Sequence, residues 1–155
     1  MALFNFSKKN KMLEDFTCDI TLNELAERLK LLYRNVEILD ETTIRIPCFA
    51  ADLRHHAGTP CFIIESMIPV FDNVMASDED LYNYCNEMNE QLQVKVVLRK
   101  IEDVRVLFFE QMIMNLNKIN ITDINTILIA FMHVRDQGEM EFTNRFPAEE
   151  DKNKN

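Results

Sequence analysis

Val94-Lys95-Val96-Val97-Leu98-Arg99-Lys100 is followed by Ile101-Glu102-Asp103 and then by Val104-Arg105-Val106-Leu107-Phe108-Phe109, running on to about Met114. Both flanking runs are rich in β-branched and aromatic residues and have the length of strands, and the polar link between them is of hairpin length. The pair therefore reads as two adjacent antiparallel strands. In the second strand Val104, Val106 and Phe108 alternate with Arg105, Leu107 and Phe109, so both faces are mainly apolar. An antiparallel sheet usually leaves one face to water. Leu107, Phe109 and Ile113 are thus expected to need cover beyond one layer of helices, from a terminal segment, a partner protein or a second copy of the chain.

On either side of this hairpin the pattern changes period. Ser77 with Asp80 forms an N-cap signature, and Leu81, Tyr84, Cys85, Met88 and Leu92 recur at helical spacing, predicting a helix from about Asp78 to Gln91. Thr21 with Glu24 makes a capping box ahead of Leu22, Leu25, Ala26, Leu29, Leu32 and Tyr33, one apolar helical face. Strands are expected at Val36–Leu39 and Thr43–Phe49, joined by Asp40-Glu41-Thr42, with a third from Cys61 to about Ile68. Between them Ala50 to Pro60 has mixed polarity and closes on the turn signal Gly58-Thr59-Pro60. Thr122 caps a last helix with Ile124, Ile127, Leu128, Phe131 and Met132 on one face, and Gly138 is its expected stop. The order α-β-β-β-α-β-β-α predicts an α+β fold: an antiparallel sheet of about five strands with helices mainly on one face. Residues 1–20 read as an N-terminal segment, 21–146 as one domain and 147–155 as a disordered tail.

A chain of 155 residues is long enough for one core that buries roughly 70% of its unfolded surface. Its 26 acidic against 17 basic side chains leave a net charge of −9, which repels a phosphate backbone, so nucleic acid is not an expected partner. Two glycines and the lack of any G-x-x-x-x-G-K-[ST] or G-x-G-x-x-G stretch argue against phosphate-cradling loops. No apolar run approaches membrane-spanning length, and Met1 to Met12 lacks the apolar core of a signal peptide; a cytoplasmic protein without stable membrane insertion is expected. Cys18, Cys48, Cys61 and Cys85 contain no C-x-x-C and read as buried thiols of a reducing compartment.

Three groups of residues invite a functional reading. From Asp72 to Val94 there are six carboxylates and no lysine or arginine; Asp78, Glu79 and Asp80 either complement the helix dipole or dock a basic partner segment. Cys48, His55, His56 and Cys61 supply metal-ligand atoms within fourteen residues, at a spacing that fits no standard zinc knuckle. The apolar strand residues Leu107, Phe109 and Ile113 form the third group.

The order of elements from about Thr21 to Gly138, in a small acidic chain, resembles the fold shared by type III secretion chaperones and the YbjN-like bacterial proteins. For the chaperone group the resemblance implies a dimer that binds extended protein segments without catalysis; it carries over no individual binding residue. The reading that follows is a non-enzymatic protein-interaction module with a chaperone-like or regulatory role, needing no cofactor and forming a homodimer. The alternatives are a small metal-binding protein using Cys48, His55, His56 and Cys61, and a small-molecule sensor.

Overall fold

The computed structural model describes residues 16–17, 21–56, 61–114, 118–119 and 121–148. The elements are β1 (Phe16–Thr17), α1 (Leu22–Lys30), β2 (Glu37–Ile38), β3 (Thr43–Ile46), β4 (Ala51–His56), β5 (Cys61–Val70), α2 (Asp78–Gln91), β6 (Lys95–Ile101), β7 (Val104–Met114), β8 (Lys118–Ile119) and α3 (Ile121–Arg145). The fold is α+β, with a six-stranded antiparallel sheet in the order β2-β3-β4-β5-β7-β6 and a separate β1–β8 pair. The sixth strand is the one the sequence pattern hides. Ala51 to His56, expected as loop, is β4, paired with β3 so that Ile44 faces Leu53 and Ile46 faces Ala51. The link is a 3₁₀ turn at Pro47–Phe49, where Pro47 ends β3 and Ala50 takes a left-handed φ of 46° that reverses the chain.

The chain divides into two compact units, Met1–Ile64 with Met112–Ala130, and Glu65–Gln111 with Phe131–Asn155. In the first, α1 starts at the expected capping box: Thr21 Oγ1 accepts from the Glu24 N–H at 3.3 Å and the Glu24 carboxylate accepts from the Thr21 N–H at 2.9 Å. Leu25, Ala26 and Leu29 are buried, as are Ile44, Ile46, Leu53, Ile124 and Leu128. The helix stops at Lys30, earlier than the apolar spacing predicts, and leaves Leu31 and Leu32 exposed. Tyr33 turns instead onto Phe49, ring centroids 5.0 Å apart, and donates its hydroxyl hydrogen to Asn125 Oδ1.

In the second unit α2 spans Asp78–Gln91 as the sequence predicts, and β6 and β7 are joined by Glu102-Asp103, with Ile101 opposite Val104. Glu102 carries the positive φ, 53°, that so tight a reversal needs. The expected stop at Gly138 is corrected: α3 runs through it to Arg145. A Cβ at Gly138 would lie 2.5 Å from Phe109 Cε1, so glycine lets the helix press directly on the aromatic ring of β7. Tyr84 of α2 seals the junction, donating its buried hydroxyl to the Gly138 carbonyl at 2.7 Å.

The segment Ala2–Lys9, the turn Gly58-Thr59-Pro60, Cys18 and the tail from Glu149 lie outside the described residues. Among the described residues no helix is long and apolar enough to cross a membrane.

Candidate interaction surfaces

The two faces of β7 differ in a way the alternation of its sequence does not reveal. Leu107 and Phe109 are fully buried and Ile113 nearly so, all within the single chain. Of the covers expected for these residues, a terminal segment, a partner or a second copy, Phe109 has one inside the chain, packed against Gly138 of the last helix. The opposite face is buried at Val106 and Phe108 and open toward the hairpin end. There Val97 faces Phe108, Arg99 faces Val106 and Ile101 faces Val104 across the β6–β7 ladder. Phe108 is covered by the Arg99 guanidinium, 4.5 Å from the ring centroid, which in turn pairs with Glu110. Val104 remains 47% exposed and Ile101 45%. On β5 the alternation sends Phe62, Ile64, Ser66, Ile68 and Val70 inward and leaves Met67 exposed on this same open face.

The outer edge of β6 is occupied at Val96 and Leu98. Asn89 of α2 donates its side-chain amide to the Val96 carbonyl at 3.0 Å and accepts the Val96 N–H at 2.6 Å, as a neighbouring strand would. The Leu98 N–H is directed at Cys85, whose thiol burial pushes up to about 11. A helix laid along an edge in this way blocks strand addition there.

The first turn of α2 is largely occupied by its own fold. Asp80 is the reciprocal half of the capping box with Ser77, accepting the Ser77 N–H at 3.0 Å and its hydroxyl at 2.6 Å, and these bonds hold its carboxyl below the usual carboxylate range. Asp78 lies 3.4 Å from Arg105, which also donates to the Ala76 carbonyl. Glu79 is exposed. Further along, Glu87 pairs with Arg145, which lowers the Glu87 pKa and fixes the end of α3. Of the three acidic residues expected to dock a basic partner, Asp80 is a cap, Asp78 an ion-pair partner, and Glu79 faces solvent.

The cysteine and histidine group is dispersed. Cys48 is exposed on the 3₁₀ turn, correcting the expectation that it is buried; Cys61 is buried, and the His55 ring packs 5.2 Å from that of Phe62. The side chain of His56 lies outside the described residues. Among the described residues no group of three or more His, Cys, Asp and Glu could hold a metal ion.

The concave apolar site of the second unit was not among the sequence-level candidates. A groove of about 170 Å³ is lined by Ile68, Pro69, Phe71, Val74, Phe142 and Phe146, with Glu139, Thr143 and Ala148 completing it. Its aromatic wall is preformed: Tyr84 meets Phe142 edge-on at 5.6 Å, and Phe142 lies 5.4 Å from Phe146. An antiparallel bridge between Val74 and Ala148 ties the two chain segments that flank it. Phe71 stands 64% exposed, far more than an aromatic of a packed core. The available signal was the i, i+4 series Gly138, Phe142, Phe146, which continues the helical face beyond the glycine. In the first unit a broader depression of about 540 Å³ is lined by Leu22, Asn23, Ile38, Asp40 and Glu41, mostly exposed side chains that enclose little. No protein-family model matches the sequence, and no curated protein matches it.

Proposed function

We propose that the chain is a non-catalytic protein-interaction module of the cytoplasm, with a chaperone-like or regulatory role, whose groove anchors one large apolar side chain of a partner protein. The observation that carries this reading is the preformed aromatic groove with Phe71 standing exposed at it. Its size selects the class of occupant. Small-molecule sites have volumes of about 300–1,000 Å³, whereas 170 Å³ suits a single Leu, Met or Phe side chain. Burying one such side chain contributes roughly 1.5–3 kcal/mol. Micromolar affinity needs about 8 kcal/mol, so the groove acts as an anchor within a longer contact. Occupation of the β6 edge at Val96 by Asn89 favours side-chain docking over strand addition there. This reading agrees with the resemblance to secretion chaperones in class of partner.

Selection from a displayed peptide library tests it. The expected result is enrichment of peptides sharing one large apolar residue, with binding lost on Phe71→Asp, a change at an exposed position that leaves the fold intact. Peptides that bind wild type and Phe71→Asp equally would remove the groove from the function.

A second reading, homodimerisation through the sheet, is favoured by the exposed Ile101, Val104 and Met67 on the open face, in place of Leu107 and Phe109.

A further inference from the structure

Nearly all of the net charge belongs to the unit that carries the groove. Glu65–Gln111 with Phe131–Asn155 contains 16 acidic and 8 basic side chains, a net of −8, against 10 and 9, a net of −1, in the other unit. Among the described residues, two cations beside the groove, Arg135 and Arg145, are engaged. Arg135 pairs with both Asp136 and Glu139, and Arg145 pairs with Glu87 while lying 5.5 Å over the Phe146 ring. Two carboxylates for one guanidinium leave an excess of negative charge at Glu139, itself a groove residue. Asp72 is exposed beside Phe71. Glu141 stands one helical turn before Arg145 on α3.

From this combination, an apolar anchor site lined by Glu139, next to exposed Asp72, in a strongly acidic unit where Arg135 and Arg145 are already paired, we infer that the groove's partner is a cationic segment: a large apolar residue flanked by lysine or arginine. The inference rests on the groove being the docking site and adds the charge of what docks. Complementary charge of this kind steers encounter and rejects acidic competitors, and salt weakens it. An acidic or neutral apolar segment would fill the same groove without the flanking attraction.

The test uses the full chain and pairs of short synthetic peptides with one central Phe or Leu, flanked by lysines, glutamates or serines. Affinity is measured by titration calorimetry at low and physiological salt. The expected result is binding of the lysine-flanked peptide about tenfold or more tighter than the serine-flanked one, falling by a similar factor at the higher salt. Asp72→Asn with Glu141→Gln should reduce that advantage, with an unchanged far-ultraviolet spectrum confirming the fold. Equal affinity of lysine- and serine-flanked peptides, both lost on Phe71→Asp, would overturn the cationic partner and keep the groove. If no peptide binds, or binding survives Phe71→Asp, the groove reading falls and the inference with it.

Discussion

At the scale of single residues the junction of Gly138, Phe109 and Tyr84 carries most information. Glycine inside a helix costs roughly 0.5–1 kcal/mol relative to alanine, and α3 accepts it in its last third because two ring atoms of Phe109 would lie 2.5 and 2.9 Å from any added Cβ. Gly138→Ala should therefore destabilise the protein by about 1–3 kcal/mol, as overpacking does, although helix propensity alone predicts a gain. Phe109→Leu removes the ring atoms that collide. Urea denaturation of both single variants and of the double variant should show the double costing less than the sum, a coupling of about 0.5–3 kcal/mol. A more stable Gly138→Ala would mean that the helix does not press on Phe109. The same packing explains why Phe109 cannot offer itself to a partner: its face is already the interior of the second unit.

At the scale of elements, the two capped helices were legible because each start is written twice, in apolar spacing and in a reciprocal side-chain cap. Those caps have a pH signature. Glu24 and Asp80 have depressed pKa values, caused first by the backbone hydrogen bond from Thr21 and by the side-chain hydrogen bond from Ser77, respectively. A carboxylate whose folded pKa is depressed adds stability above its unfolded pKa and loses it as pH falls through the folded value. Glu24→Gln with Asp80→Asn should accordingly lower the melting temperature at pH 7. The gap from wild type should begin to close as pH falls below the ordinary Glu and Asp values, 4.5 and 3.8, and vanish at still lower pH. A gap that persists at the acid end would assign the effect to packing. The elements that escaped sequence reading did so for physical reasons. β4 alternates Ala51, Leu53 and His55 against Asp52 and Arg54, a correct period of two, but has no β-branched or large aromatic residue and follows a proline. The end of α3 was hidden because glycine usually marks a stop; here close approach of Phe109 outweighs that tendency. The groove needs Phe71 and Phe146 from distant parts of the chain, and no local pattern brings them together.

At the scale of the whole molecule, the apolar surplus of β7 raises the question of self-association, and the structure changes which residues should answer it. Exposed apolar area on the sheet includes Val104, Ile101, Met67 and Met112, with Phe108 shielded by Arg99. The face also carries both signs of charge, Lys95 and Arg99 beside Glu110, so a second copy related by a two-fold axis could set apolar strip on apolar strip and cation on anion. Sedimentation equilibrium across a micromolar range distinguishes the possibilities. If the open face is the interface, the wild type sediments as twice 18.3 kDa, and Ile101→Glu with Val104→Glu gives a folded monomer, since both positions are already about half exposed. Phe109→Glu is expected to behave differently, because it places a carboxylate at a site with no accessible surface and should unfold the second unit rather than dissociate a dimer. A wild type that remains at 18.3 kDa throughout would end the dimer reading and leave the groove as the molecule's proposed point of contact. A dimer that survives Ile101→Glu with Val104→Glu would move the interface away from the open face.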